Sequence, residues 1–342
     1  MIKLCRARYN LEVQEISLTI DQRQWCEEQF ATLLQAPPTV TPLKVEASHR
    51  LFFRIEDGRD AYVLMLSPPA LEQNEQFVTM QMVFNQHNVP VPDLLAYDYP
   101  LGLFLMSDLG KDDFETIYET EDRDLAISSA IDCLHIIQSI NQAPPYTAER
   151  FQLELEIFQE WFIAKTLTLD NLDISSTTGP LLEAIDAQPI GCVHRDYHCR
   201  NLLFNRNQLG IVDFQDALVG PALYDLASLL RDCYYVFEEK EIDHWLSYYL
   251  GTETPVTDAL RSFTEPQIRQ MLDFTAIQRQ LKAIGIFARL NIRDQKSSHL
   301  RYIEPLLGRL ITLSSIYDEL RPLKMQLDSC SEQFSIELSI EL

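Results

Sequence analysis

The sequence predicts an α+β protein in two lobes, a small strand-rich one over residues 1–107 and a larger, mainly helical one over 108–342. Three features predict it. Short β-like runs crowd the N-terminal third around a single helical segment. Helical periodicities take over after Asp112. Between them SDLGKDD, at 107–113, has the polar, glycine-bearing composition of a joint. With 342 residues, 46% of them apolar, the chain has material for substantial cores.

DQRQWCEEQFATLLQA (21–36) opens on an acidic N-cap candidate and sets Trp25, Phe30, Leu33 and Leu34 at helical spacing before two prolines end it. TPLKVEA (41–47), LFFRIE (51–56) and YVLMLS (62–67) read as strands, the last two joined through EDGRD as a hairpin. A helix over 68–88 starts on prolines and shows Phe77, Met80 and Phe84 on one face. LLAYD (94–98) and LGLFLMS (101–107) are two further strands. Beyond the joint, helices are expected over 121–142, 149–167, 222–250 and 265–290. They are interrupted by PIGCV (189–193) and the hairpin LLFNRNQLGIVDF (202–214). The tail SEQFSIELSIEL (331–342) alternates with period two, so it reads as an added edge strand or a frayed end.

Composition narrows the function. Twenty-eight basic against 51 acidic residues give a net charge of −23. That argues against nucleic-acid or acidic-membrane partners, which require a basic face, but not against one phosphorylated ligand held by a metal. Seven cysteines without a C-x-x-C pair suggest reduced thiols. The N-terminus lacks an apolar leader core and no run suffices to span a bilayer, so a cytoplasmic protein is expected. None of the ten glycines forms a G-x-G arrangement, which excludes a Walker A loop and a Rossmann fingerprint.

The chemistry concentrates in CVHRDYHCRNLLF (192–204) and DFQDA (213–217). Asp196 and Asn201 stand five apart, and Asp213 follows the second strand of the hairpin. Phosphoryl transfer needs an oxygen to orient the attacking hydroxyl and hard ligands to hold magnesium on nucleotide phosphates. Asp196 suits the first task, Asn201 and Asp213 the second. Two other readings remain: a buried polar turn capped by Asp196 and His194, or a metal held by His194 and His198.

This order of a small lobe, a joint and a helical lobe with H-x-D-x-x-x-x-N and D-F resembles the aminoglycoside phosphotransferase superfamily, two-lobed relatives of the protein kinases. IFQEWF (157–162), GPALYDLASLLRDCY (220–234) and QRQLKAIGIFARLN (278–291) make the chain similar to bacterial N-acetylmuramate/N-acetylglucosamine anomeric kinases of cell-wall recycling. The resemblance implies a protein-kinase-like fold, ATP with Mg²⁺ or Mn²⁺, and transfer of the γ-phosphate to the anomeric hydroxyl of an amino sugar. It implies that Met106, Asp108 and Leu109 meet the nucleotide and that His194 and Asp225 brace the catalytic loop; a monomer or weak dimer is expected.

The N-terminal lobe departs from the pattern. YVLMLSPP carries no lysine, Leu66 stands where the resembled group is acidic, and SHRLFFR (48–54) has no glycine. Phosphate neutralisation then falls on the metal and on Arg50 or Arg54, with Arg54 the candidate cofactor contact; Glu72 and Glu75 lack the lysine such residues ordinarily pair with. A non-catalytic pseudokinase, or a kinase of another alcohol or an aminoglycoside, are the competing readings. Arg279, Lys282, Arg289, Arg293 and Lys296 share one stripe of a helix, unless it breaks near Asn291. Arg279, Arg289 and Arg231 are candidates for an anionic substrate, and Trp161 reads as a core aromatic.

Overall fold

The computed structural model describes residues 18–43 and 49–340. They fall into two compact units: a smaller one reaching to Lys111 and including Leu203–Gln215, and a larger one of Asp112–Leu202 with Asp216–Leu342. No helix among the described residues is long and apolar enough to cross a membrane.

In the smaller unit, α1 (Ile20–Leu33) starts on a Thr19–Gln22 capping box. It is followed by β1 (Thr39–Leu43), β2 (Leu51–Glu56), β3 (Ala61–Leu66), α2 (Asn74–Gln86), β4 (Leu94–Asp98) and β5 (Leu103–Ser107). The remainder of the expected first strand, residues 44–47, lies outside the described residues, as does Ser48 of the SHRLFFR turn. The strands form one antiparallel sheet in the order β1-β2-β3-β5-β4. Strand alternation decides what each face carries. Phe53, Ile55, Leu64, Leu103 and Leu105 pack on Cys26 and Phe30 of α1. Phe52 opposite Met65, Arg54 opposite Val63, and Phe104 take the other face, where Phe77 of α2 meets Phe104 edge-on at 5.7 Å.

The hairpin of β7 (Leu202–Asn205) and β8 (Gln208–Ile211) explains why the units do not follow a single cut at 107/108. Phe214, just beyond it, stacks on Phe77 at 5.3 Å and lies 5.8 Å from Phe84. Ile211 donates its N–H to the Pro90 carbonyl, and Gln76 donates to that of Gln215.

The larger unit runs α3 (Phe114–Ile117), α4 (Arg123–Gln138), α5 (Ala148–Ile157) with a π-helical continuation Phe158–Thr166, α6 (Gly179–Asp186), β6 (Ile190–Val193) and β9 (Leu218–Pro221). It continues through α7 (Tyr224–Leu230), α8 (Glu239–Gly251), α9 (Pro255–Leu260), α10 (Glu265–Asp294), α11 (Ile303–Ser314) and α12 (Arg321–Ile340). Gly285 of α10 lies so close to α5 that a Cβ there would sit 2.6 Å from the Phe158 nitrogen and 2.7 Å from the Ile157 carbonyl. The helix changes from α to π at that contact. Trp161 packs on the core at the π turn, as a core aromatic should.

Three expectations change. The helix expected over 222–250 is two helices, because Arg309 draws the carbonyls of Asp232, Cys233 and Tyr235 onto its guanidinium and opens the segment between α7 and α8. The tail is helical through Ile340 rather than a strand: Leu323, Leu327, Cys330 and Phe334 bury one helical stripe, and that period prevails over the local alternation. The last two residues lie outside the described ones. Finally, α10 continues unbroken to Asp294, where Gln295 takes a left-handed cap (φ 55°).

Candidate active site

β6 and β9 pair antiparallel with Val193 opposite Leu218, and the loop 194–201 leaves the end of β6. Arg195 adopts a left-handed backbone (φ 80°), which a non-glycine residue holds only when its surroundings impose it. Asp225, in the first turn of α7, imposes it. Its carboxylate accepts the His194 N–H at 2.5 Å and the Arg195 N–H at 2.9 Å. Burial pushes the Asp225 carboxyl up to about 7, against the pull of those two donors. His194 is wholly buried, edge-on to Tyr197 at 5.7 Å, and Tyr197 donates its hydroxyl to the Ala130 carbonyl.

A second carboxylate braces the far side of the loop. Asp232 accepts the Cys199 N–H at 2.8 Å and the Tyr234 N–H at 2.8 Å, while the Cys199 carbonyl accepts from Phe114. Asn201 closes the turn by donating its amide to the Asp196 carbonyl at 2.9 Å. Nothing in the sequence spacing marked Asp232. Only its place in the LLRDCY stretch could have drawn notice.

The half-buried Asp196 is surrounded by cations. Burial alone would raise its carboxyl, but Lys282, His198, Arg195 and Arg279 hold it well below the usual carboxylate range. Those cations are themselves anchored. Glu154 pairs with Arg195 at 2.9 Å and Lys282 at 3.1 Å, and accepts from the Tyr146 hydroxyl at 2.5 Å and from Gln278 at 3.2 Å. Burial opposes the Glu154 charge, yet Lys282 and Arg195 bring its carboxyl down to about 2. Arg279 differs. It donates to the Arg195 carbonyl at 3.1 Å and lies 4.9 Å over the Tyr224 ring, but its buried Nε has no partner and, among the described residues, no carboxylate pairs with it.

The other arginines separate by placement. Arg231 is held by Glu239 (2.6 and 2.8 Å) and Asp273 (2.9 Å), and Arg289 is half-buried further along α10. Arg200, unmarked in the sequence reading, stacks 3.7 Å over Tyr234 and donates to Glu115 and the Tyr302 hydroxyl.

In the smaller unit, Arg54 grips Asp108 with two nitrogens (2.6 and 2.9 Å) and donates to the Gly110 carbonyl at 2.5 Å. Leu109 gives its carbonyl to Asn205, and Met106 is buried opposite Val63. Asp213 stands left-handed (φ 67°) after β8 and accepts from Gln215 at 2.8 Å.

A family model described as the phosphotransferase enzyme family matches residues 39–263. The chain belongs to that family. Among curated proteins it is 34% identical over 296 residues to a Neisseria meningitidis protein called N-acetylmuramate/N-acetylglucosamine kinase, covering 81% of this chain and 86% of that one. It is 30% identical over 318 residues to a Pseudomonas putida protein of the same name, covering 85% and 92%. A Streptococcus pneumoniae choline kinase superposes with a TM-score of 0.63 at 12% identity, covering 87% of this chain and all of that one. A Plasmodium vivax ethanolamine kinase does so at 0.61 and 12%, covering 87% and 91%. The fold is therefore the two-lobed, kinase-like one of the phosphotransferases.

A phosphotransferase of this family uses ATP together with a divalent cation. Among the described residues no three His, Cys, Asp or Glu side chains gather into a metal cage, so the paired-histidine site is not formed. The side chains of Asn201 and Asp213, one in each unit, carry hard oxygens of the kind such cations accept.

Proposed function

We propose that this phosphotransferase moves the γ-phosphate of ATP to the anomeric hydroxyl of N-acetylmuramate or N-acetylglucosamine, in the recycling of peptidoglycan sugars in the cytoplasm. The observation that carries the reading is Asp196, an anion held among cations in a loop braced at both ends. Asp196 accepts the hydrogen bond of the sugar hydroxyl and points its oxygen at the γ-phosphorus. The new bond forms from that oxygen to phosphorus, the bond to the β,γ-bridging oxygen breaks, ADP leaves, and the hydroxyl proton passes to Asp196 and then to water. Asn201 and Asp213 are the oxygen donors for the cation, which when bound neutralises charge on the phosphates.

The names of the Neisseria and Pseudomonas relatives support the amino-sugar acceptor. So does Arg279, whose planar guanidinium beside the loop suits the lactyl carboxylate of N-acetylmuramate. A cationic acceptor of the choline type fits less well beside Arg195, Arg279 and Lys282.

The test is incubation with ATP, Mg²⁺ and each sugar, followed by product NMR. Phosphorus coupled to the anomeric proton is the expected result. Phosphate on C6 would keep the kinase and refute the anomeric assignment. Tight ATP binding without turnover of any sugar would favour the non-catalytic reading.

A further inference from the structure

The smaller unit lacks the strand lysine with which kinases neutralise nucleotide phosphates. On the face of β3 turned away from α1, a lysine would have to stand at 63 or 65, and those residues are Val63 and Met65. We propose that Arg50 supplies the missing cation, held by Glu72 in the bend before α2, and contacts the β- and γ-phosphates of the nucleotide. This rests on the ATP-dependent reading above.

Strand alternation puts Arg50 on the same face as Phe52 and Arg54, diagonal to Met65, because Phe52 pairs with Met65. Its Nε lies 3.4 Å from Glu72 and 3.3 Å from the Ser67 hydroxyl. Glu72 is fixed in turn by the His49 N–H at 3.1 Å, and Ser67 by Asn74 at 2.5 Å. A basic residue from the strands paired with a glutamate at the helix reproduces, from a different strand position, the ion pair a kinase requires.

Arg54 is the weaker candidate. Both oxygens of Asp108 and the Gly110 carbonyl engage its guanidinium, a bidentate clamp on the end of β5. Arg50 lies against Glu72 at 3.4 Å and the Ser67 hydroxyl at 3.3 Å, outside that clamp.

Arg50 is also tied to the metal-binding side of the unit. Its guanidinium lies 5.3 Å over the Phe77 ring, and Phe214, the residue after Asp213, stacks on that ring at 5.3 Å. Arg50 and Phe214 thus pack on the same ring. A methionine at 50 could pack on Phe77 as well, whereas a cation here carries the cost of desolvation. Charge at this position is matched within the unit by Glu72.

The experiment is calorimetry on the full chain with Mg·ATP, Mg·ADP and adenosine, for wild type, Arg50→Met, Arg50→Lys and Glu72→Gln. Arg50→Met should weaken ATP and ADP roughly tenfold to a hundredfold, the worth of a lost charge-assisted contact, and leave adenosine within about twofold. Arg50→Lys should recover part of the loss, and Glu72→Gln should weaken ATP several-fold with adenosine again unmoved. Equal loss for adenosine and ATP, or no loss for either, would overturn the proposal. If Arg50→Met does not fold, Glu72→Gln decides, and an unchanged ratio of ATP to adenosine affinity overturns it. These ratios do not depend on the acceptor. Failure of wild type to phosphorylate any sugar would count against the proposed function, not against Arg50.

Discussion

Asp232 accepts the backbone N–H of Cys199 across 33 residues of sequence, at 2.8 Å, from a position 1% exposed. Asp232→Ala would leave that N–H and the one of Tyr234 buried without acceptors, a loss of roughly 2–4 kcal/mol. Urea denaturation should report it, and Asp232→Asn, which keeps an acceptor, should lose less. In the folded alanine variant kcat should fall more than ATP affinity, because the slack is in the loop that carries Asp196.

Glu154 joins two buried cations. Glu154→Gln should destabilise by about 3–5 kcal/mol, because Arg195 and Lys282 would lose the buried anion that pairs with both. The same pair sets an acid limit. The Glu154 carboxyl titrates near 2 in the folded protein against an ordinary 4.5, so the folded state binds fewer protons. Its contribution, about 3 kcal/mol, is complete above roughly pH 4.5 and is lost as pH falls toward 2. Denaturation midpoints that stay flat through that window would count against it.

Asp196→Asn keeps the shape and removes the charge. The expected outcome is a kcat lower by about 10²–10⁴ with Mg·ATP affinity nearly unchanged. Because surrounding cations keep Asp196 ionised, it should add no acid limb to wild-type kcat between about pH 5 and 8. Steady-state pH profiles of both proteins check this.

Asp213→Ala should abolish the gain in ATP affinity that Mg²⁺ or Mn²⁺ confers on the wild type. Calorimetry with and without metal measures that gain directly. Equal affinity in both conditions for the wild type would remove Asn201 and Asp213 from the assignment together.

The six described cysteines are unpaired, and all but Cys233 are buried. Burial pushes the thiols of Cys26, Cys133, Cys192 and Cys330 up to about 12 and that of Cys199 further. Native protein at pH 8 should therefore react slowly with thiol reagents and show all seven thiols only after denaturation. Labelling of Cys199 should track unfolding, since its sulfur is not on the surface of the loop.

What could be read in the sequence was local. Asp196, Asn201 and Asp213 fall within 18 consecutive residues, so spacing alone suggested their chemistry. Glu154 and Lys282 were illegible as partners because contact over that separation in the chain leaves no periodic trace. The opened helix after Leu230 depends on Arg309, a residue no window around position 231 contains. The tail failed differently: two SIEL repeats with period-two alternation outweighed, on paper, the Leu323–Phe334 stripe that buries the helix.

The left-handed backbone of Asp213 also restricts how this gene can drift. Of the residues one base change away from an aspartate codon, glycine and asparagine accept that conformation readily, whereas valine, with its branched β-carbon, does not. A duplicated copy released from catalysis should therefore lose the carboxylate at 213 by way of Gly or Asn, keeping the turn and the fold. Sequencing such degenerate copies would show those two replacements ahead of the others.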